Sequence, residues 1–286
     1  MQTTIKQQFT HELQWADFDN MALKGPYLAE LSALFDLPRY AFTRLSTAAL
    51  LNQLAAHYVK QPIYRFEPQS KFANDTRYYE EIIAQDGVIP TREGSWHDFF
   101  NGLIWLQFPS TKKALNAWHM EDIQSSGVHP RTPRRNRLTH FDECGLILVS
   151  KESDPEGVIS DLKLHDWHSA LYEKRGLWEE RIRPVIFGHA NLEMLLSPYP
   201  QLTAKWCQVT QPTLTLKPSF ADTFDELDTG LLKTLKTEQV FEQKQRLKPL
   251  PLLGIPGWAD NQTPLFYANK EVFRPRRQFT TQPVEH

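Results

Sequence analysis

Apolar residues recur at three- and four-residue steps over the first 60 residues, which is the spacing of one face of an α-helix. They fall in two groups, which are Tyr27, Leu28, Leu31, Leu34 and Phe35, and then Leu45, Leu50, Leu51, Leu54 and Tyr58. Each group predicts a helix, and the two helices are expected to pack together. Residues 62–66 alternate like a short strand, and residues 76–83 predict a helix that ends near Gly87. We therefore expect a mainly helical part over about residues 1–90.

Residues 96–108 predict the most deeply buried helix of the chain. Ser95 offers an N-cap to this segment, and its aromatic residues occupy most of the helix circumference. Pro109 is expected to end the helix, and Ser110 is expected to cap a second helix over residues 111–122. The two helices would form a pair with almost no linker.

The next segments combine proline, glycine and short apolar runs. Residues 127–136 hold too much proline for a helix and are predicted to form a loop. Residues 137–141 and 146–150 then flank a connection of four residues, 142–145, that ends in glycine. A glycine there suits the left-handed or bulged position of a β-turn, so an antiparallel hairpin is predicted.

Helical and irregular segments alternate over the remaining chain. The predicted elements are a helix over 161–175, a helix over 177–197 kinked at Pro184, an extended stretch over 206–216 and a helix over 221–236. Residues 248–258 combine apolar side chains with proline and glycine, which predicts an irregular strap. The whole pattern predicts a predominantly helical α+β fold, with helices packed around a small antiparallel hairpin or sheet and an irregular C-terminal strap.

Composition places the chain among globular proteins. Of 286 residues, 41% are hydrophobic and 23% are charged, which excludes a disordered chain. No obvious linker divides the sequence, so one globular domain over residues 1–286 is expected. Cys144 and Cys207 each lack a CxxC partner, which argues against a disulfide framework or a thiolate zinc site. We expect a cytoplasmic protein, because the sequence has neither a signal-peptide pattern nor an apolar run of the roughly 20 residues that cross a membrane.

The charge and the common motifs exclude several functions. A formal net charge of -2 argues against a globally basic nucleic-acid-binding protein. The chain also lacks GxxxxGK[ST], GxGxxG, GxSxG and HExxH. Their absence disfavours nucleotide hydrolases, Rossmann dehydrogenases, α/β-hydrolases and common zinc proteases.

Four segments carry a resemblance to a known family. They are WHDFFNGLIW from Trp96, with Phe108, Pro109 and Lys112, then RLTHFDECG from Arg137, GHANLE from Gly188, and LGIPGW from Leu253 with Phe273 to Pro275. In this order they resemble the bacterial family called domain of unknown function 3025, over about residues 20–280. The resemblance implies a bacterial protein of one structural unit, and it brings no activity, cofactor or site residue with it.

His189 and Glu193 are four residues apart in a predicted helix. At that spacing their side chains project from one face about 5–6 Å apart, close enough to share a metal ion or a proton. The structural alternative is a half-buried histidine held by its own glutamate, and the spacing alone does not distinguish the two. His165 and His168 form another spaced pair, which is expected to be exposed.

His97, Asp98 and Asn101 lie in the first turns of the predicted aromatic helix. The helix dipole favours a carboxylate in the first turn, so capping is sufficient to explain Asp98. His97 stands among aromatic residues, where both of its ring nitrogens need polar partners. It is therefore a candidate metal ligand or catalytic residue, and Asn101, one turn later, is a candidate substrate-binding residue.

Asp142 and Glu143 form a pair of carboxylates at the tip of the predicted hairpin. Such a pair suits a divalent metal ion or general acid–base catalysis. Asp is also common in turns, because its side chain bonds to nearby backbone groups. The pair therefore also has an ordinary explanation as turn residues.

Four arginines lie within seven residues, at Arg131, Arg134, Arg135 and Arg137. A guanidinium group binds phosphate or carboxylate through two hydrogen bonds, which makes Arg134, Arg135 and Arg137 candidates for holding an anion. The alternative is a solvated basic loop.

Together these residues predict an intracellular hydrolase, assisted by a divalent metal ion or by acid–base groups, of a phosphate-bearing or other anionic substrate. In this interpretation His97, His189 and Glu193 hold a metal ion or water. Asp142 or Glu143 adds a ligand or base, and the three arginines bind the anion. The alternative is a non-catalytic binding or adaptor protein with a groove formed by the aromatic helix and the strap. The enzyme interpretation requires the two histidines and a carboxylate to converge in space.

Overall fold

Helices make up most of the structure, and two small sheets lie among them. The computed structural model describes residue 13 and residues 17–59, 64–211, 220–243 and 246–276. The α-helices are α1 (Phe18–Met21), α2 (Pro26–Leu34), α3 (Thr47–Tyr58), α4 (Tyr79–Asp86), α5 (Trp96–Gln107), α6 (Pro109–Ser126), α7 (Pro133–Cys144), α8 (Val158–Leu164), α9 (Leu177–Glu180), α10 (His189–Leu195), α11 (Phe220–Thr237) and α12 (Pro264–Tyr267). The strands are β1 (Arg65–Pro68), β2 (Val88–Thr91), β3 (Gly145–Ser150), β4 (Ile182–Ile186), β5 (Thr203–Thr210) and β6 (Lys248–Pro251). The fold is a predominantly helical α+β fold, as predicted.

The larger sheet has the strand order β4-β3-β5-β6. β3 pairs antiparallel with β4 and parallel with β5, and β5 pairs antiparallel with β6. Every residue of β3 is buried, as expected for an interior strand covered on both faces. Strands β1 and β2 form a separate parallel pair. The predicted small sheet is therefore present, but its pairing is mixed rather than purely antiparallel.

The hairpin predicted around residues 142–145 is wrong. Its first arm belongs to helix α7, and only the second arm is a strand, β3. The Thr132 side chain accepts a hydrogen bond from the backbone N–H of Arg135, and Pro133 takes the first helical position. Both are standard helix-start signals, and they place the start of α7 inside the segment predicted to be a loop.

The helix predicted over residues 177–197 is also wrong in its middle. The segment divides into α9, β4 and α10, and Pro184 lies in β4. Because β4 is an edge strand of the sheet, the missing N–H of a proline is tolerated there. The helix predicted over residues 161–175 is interrupted at His165, whose φ is +63°. It continues as a short π-helix, Ser169–Glu173.

Helix α5 begins and ends as predicted, and the Ser95 side chain caps it by accepting from the N–H of Asp98. The next helix begins at Pro109 instead of after it, and Ser110 provides no cap. The carboxylate of Asp228 on α11 accepts hydrogen bonds from the N–H groups of Ser110 and Thr111 instead. A residue more than 100 positions away therefore caps α6.

The other predicted helices and strands correspond to elements of the structure where it describes the chain. The two amino-terminal helices are α2 and α3. Part of the strand predicted over residues 62–66 lies outside the described residues, and β1 occupies the rest. The extended stretch predicted over 206–216 is β5 up to Thr210, and residues 212–216 lie outside the described part. The strap begins as β6 and then becomes irregular, with the Trp258 ring 5.4 Å from that of Tyr27.

One hydrophobic cluster runs from Leu13 to Phe273 and includes seven of the twelve residues of α5. Among the described residues, no helix has the length and apolar character needed to cross a membrane. Cys144 and Cys207 are free thiols.

Candidate metal centre

Three helices bring two histidines and two glutamates together. Helix α5 supplies His97 in its first turn, and α7 supplies Glu143 in its last turn. Helix α10 supplies His189 and Glu193. The enzyme interpretation required this convergence, and the structure contains it.

The three atoms that face one another are Nε2 of His97, Nε2 of His189 and Oε2 of Glu143. The two nitrogens are 3.1 Å apart, and the Glu143 oxygen lies 3.5 Å from His189 and 3.8 Å from His97. A point in the plane of this triangle lies about 2 Å from all three atoms, which is the bond length of Zn²⁺ to histidine nitrogen and carboxylate oxygen. These three residues form the candidate metal site of the described part of the chain.

Glu193 acts on His97 from the side away from the triangle. Its Oε2 lies 3.0 Å from Nδ1 of His97. Since an ionised carboxylate only accepts hydrogen bonds, the proton of the neutral ring is on Nδ1, and Nε2 carries the lone pair. A carboxylate that holds a histidine in this way is the usual outer partner of a metal-bound imidazole. Glu193 was predicted as a ligand, but its geometry is that of a residue that orients His97.

His189 is almost completely buried, with 5% of its side chain exposed. Its Nδ1 makes no hydrogen bond, although the backbone carbonyl of Asp142 is close enough to act on its pKa. Burial lowers the pKa of His189 to about 3, against the opposing charge of Asp142. The ring is therefore neutral at physiological pH, which is the form that binds a metal ion.

The opposite shift occurs at His97 and Glu143, which are partly exposed. Burial lowers the pKa of His97, but the hydrogen bond to Glu193 and the charge of Glu143 outweigh this effect and raise it overall. Burial raises the pKa of Glu143, and the nearby His97 offsets only part of that increase. Each group therefore favours its protonated form, and a bound cation would displace that proton.

Gly188 allows α10 to start directly against the end of α7. A Cβ at this position would lie 2.5 Å from the backbone oxygen of Glu143, closer than real Cβ contacts allow. The N–H of Gly188 donates to the carbonyl of Gly145, and the Asn191 side chain donates to the carbonyl of Cys144. These bonds fix His189 beside Glu143.

Asp142 does not join the triangle. Its Oδ1 lies 2.5 Å from Nζ of Lys112, which also donates to Oδ1 of Asn101. Burial alone would raise the pKa of Asp142, but the charge and hydrogen bond of Lys112, together with the nearby His189 and His119, outweigh burial and lower it. Asn101 donates in turn to the hydroxyl of Tyr79. The side chain of Asn101, which was predicted to bind substrate, thus makes hydrogen bonds within the protein. The ion pair of Asp142 and Lys112 lies behind the triangle and supports it.

Lys112 is a residue of the site that its residue type and spacing in the sequence did not predict. The signal was the buried face of α6, which carries Thr111, Lys112, Asn116 and His119 beside Leu115. Polar residues at helical spacing on a buried face require internal partners. The sequence pattern predicted this face by its apolar residues alone, so the polar ones were missed.

The three arginines predicted to hold an anion make internal contacts instead. Arg134 forms ion pairs with Glu121, Asp122 and Glu242. Arg135 is fully buried and donates to the carbonyls of Gly127 and Val128, and Arg137 donates to those of Phe241 and Glu242. Among the described residues, none of the three is hydrogen-bonded or ion-paired to the triangle. They attach α7 to its neighbours, because the helix start at Thr132 turns this segment into a packed helix.

The exposed side of the triangle determines what the site can do chemically. His97, Glu143 and Glu193 have side chains that are 27%, 35% and 30% exposed. Two imidazoles and one carboxylate are a donor set typical of Zn²⁺ or Fe²⁺ in enzymes. Three protein ligands with solvent on one side leave a coordination position for water or substrate, as in catalytic rather than structural sites.

Comparison with known proteins gives the family of the chain. Searches of curated proteins and of solved structures returned no match. The family model described as "Protein of unknown function (DUF3025)" matches residues 64–277, about three quarters of the chain. The match covers α5, α7 and α10, which hold all four residues of the candidate site. The chain therefore belongs to the DUF3025 family.

Proposed function

We propose that this chain is a metal-dependent hydrolase whose divalent ion is bound by His97, His189 and Glu143. The observation that carries the proposal is the 3.1, 3.5 and 3.8 Å triangle formed by their Nε2, Nε2 and Oε2 atoms. Glu193 fixes the ring of His97, and burial keeps His189 neutral. The residues come from three separate helices, so chance proximity along one helix does not explain the site.

Hydrolysis is the reaction class that this arrangement supports best. A divalent ion with three protein ligands lowers the pKa of a bound water to about 7 and polarises the oxygen of an ester or amide. Water adds to the electrophilic centre of the substrate, the bond to the leaving group breaks, and the proton of the water ends on the leaving group. Zn²⁺ fits the ligands and the size of the triangle.

An anionic substrate remains part of the proposal, but with different binding residues. The predicted arginines lie in the packing of α7 against its neighbours, whereas Arg92 lies near Glu193. The hydrogen bond of Arg92 to Asp98 and, to a smaller extent, the charge of Glu193 raise the pKa of the guanidinium. Arg92 also pairs with Asp98 and keeps 56% of its side chain exposed. It is the residue we assign to attract a phosphate or carboxylate group to this face.

The adaptor alternative has less support from the packing. Its groove was to be lined by the aromatic helix, but Trp96, Phe99 and Phe100 are each at most 5% exposed. The exposed large hydrophobic residues of the described part are dispersed through the sequence, at Leu23, Phe42, Tyr79, Leu164, Tyr199 and Leu265. We also propose a cytoplasmic location, which the two free thiols support, and a bacterial source, which rests on the family resemblance.

The test is a hydrolase assay on protein that has been stripped with a chelator and reloaded with Zn²⁺. The substrates are p-nitrophenyl phosphate, bis-p-nitrophenyl phosphate and p-nitrophenyl acetate, and the variant is His189→Ala. The control is His168→Ala, because His168 is an exposed histidine paired with Glu173 at 3.3 Å. We expect loss of at least about 100-fold in kcat/KM for His189→Ala alone. Equal activities in the two variants, or none in the reloaded wild type, would contradict the proposal.

A further inference from the structure

A groove of about 540 Å³ lies beside β5 and β6, between helix α8 and the segment 271–276. None of the residues of the candidate metal centre lines it. Its volume is in the range of sites that bind small molecules, which is about 300–1,000 Å³.

Positive side chains from four parts of the chain converge on this groove. They are Lys163, Lys205, Lys248, Arg274 and Arg276, with His165 beside them. Within the described residues, no carboxylate lies within ion-pair distance of any of the five cations, and Glu271 is the acidic residue in the lining. The chain as a whole has a net charge of -2, so this concentration of positive charge is local.

Lys163, Lys248 and Arg276 line the same groove and act on one another. Burial lowers the pKa of Lys248, and the charges of Arg276 and Lys163 lower it further. Burial also lowers the pKa of His165, and the charges of Lys248, Arg276 and Lys205 lower it further. Like charges that lie close together destabilise the fold unless an anion offsets them.

The rest of the lining argues for a small organic ligand rather than a long polyanion. Leu247, Pro249 and Val272 give the groove apolar walls. The cations surround one cavity instead of extending as a stripe, and the acidic net charge disfavours general binding to nucleic acid. Lysine and arginine together are the usual partners of phosphate groups.

We propose that this groove binds a small organic phosphate that carries at least two negative charges and an apolar part, with a nucleoside phosphate as the model ligand. Lys163 and Lys248 contact the phosphates from α8 and β6, and Arg274 and Arg276 close the site from the C-terminal segment. The site does not depend on the metal centre.

Calorimetric titration with ATP, on protein kept in EDTA, tests the proposal without any contribution from a bound metal ion. The variant is the double substitution Lys163→Gln/Lys248→Gln. Its control is Lys113→Gln, because Lys113 is an exposed lysine on α6 outside the groove. We expect binding that weakens with salt, a loss of about tenfold or more in the double variant, and no change in the control.

Thermal unfolding of the same proteins separates loss of the site from loss of the fold. Without ATP the double variant should melt no lower than the wild type, because it removes charges that repel their neighbours. With ATP only the wild type and Lys113→Gln should be stabilised. Undiminished ATP binding by the double variant would overturn the proposal. So would equal weakening in the control, or binding of a twelve-nucleotide DNA strand without binding of ATP.

Discussion

Nε2 of His97 and Nε2 of His189 face each other at 3.1 Å, although the two residues are 92 positions apart in the chain. In the absence of an ion, one imidazole must donate to the lone pair of the other, and Nδ1 of His189 has no partner of good hydrogen-bond geometry among the described residues. A cation between the rings would use both lone pairs and the Glu143 carboxylate at once. The pairing is thus a weak arrangement for two free histidines and a favourable one for two ligands.

The role assigned to Glu193 predicts a change in affinity without loss of the site. Glu193→Gln keeps a hydrogen bond to Nδ1 of His97 but removes the negative charge that orients the ring. We expect Zn²⁺ affinity to fall by about 10- to 100-fold while one ion per chain still binds at saturation. Competition titration with a chromophoric chelator measures this. Complete loss of binding would instead make Glu193 a direct ligand.

The pair of Lys112 and Asp142 predicts a stability effect. Lys112 is 3% exposed, and replacing it by Met leaves the Asp142 carboxylate without its counter-charge. We expect Lys112→Met to lower the free energy of unfolding by about 3 kcal/mol in urea titrations.

The control for this pair is the double variant Lys112→Met/Asp142→Asn. It removes both charges, so it should recover part of the lost stability. A double variant that is no more stable than Lys112→Met would show that the carboxylate is compensated in another way.

His119 predicts how the stability depends on pH. Burial lowers its pKa to about 4; Asp142 opposes this shift, and Arg135, Arg131 and Lys112 reinforce it. In the unfolded chain a histidine titrates near 6.5. Between these values the unfolded chain binds a proton that the folded chain does not, so the stability falls as the pH decreases through this window.

The measurement compares the wild type with His119→Gln, which cannot titrate. Between pH 7.5 and pH 5 the wild type should lose about 2 kcal/mol more in its free energy of unfolding than the variant does. Other groups contribute equally to both proteins and cancel. Equal losses would mean that His119 is protonated as readily in the folded state as in the unfolded one.

The cap that Asp228 provides for α6 predicts a third stability effect. Asp228 is 3% exposed, and its carboxylate accepts from two N–H groups in the first turn of α6. Asp228→Ala leaves both donors unpaired and should cost about 1–2 kcal/mol in the free energy of unfolding. Ser110→Ala, by comparison, should cost almost nothing, because the Ser110 side chain provides no cap. A larger loss of stability in Ser110→Ala than in Asp228→Ala would instead support the Ser110 cap that the sequence predicted.

Local patterns predicted α5, and α10 as part of a longer helix, but they predicted a hairpin where α7 carries Glu143. Ser95 and the aromatic run after it specify α5 without help from the rest of the chain, and this places His97 in a first turn. The spacing of His189 and Glu193 also predicted that both side chains lie on one face of a helix. However, the role of Glu193 depended on which nitrogen of His97 it would face, and this is a property of packing between helices.

The cationic groups could not be predicted from local sequence. Arg134 and Arg135 are close together in the chain, yet they turn inward because α7 packs against α6. Lys163, Lys205 and Lys248 are far apart in the chain and meet only when the sheet and α8 assemble. Clustering in the sequence therefore indicated arginines that pair within the packing of α7, whereas the cations that line one groove come from distant parts of the chain.

His97, His189 and Glu143 are expected to bind one divalent ion. The most direct test is elemental analysis after the stripped protein has been saturated with Zn²⁺ and passed through a desalting column. The proteins compared are the wild type, His189→Ala, Glu143→Gln and the control His168→Ala. We expect one zinc per chain in the wild type and in His168→Ala, and at most a small fraction of one in the other two. Zinc absent from the wild type, or present equally in all four proteins, would contradict it.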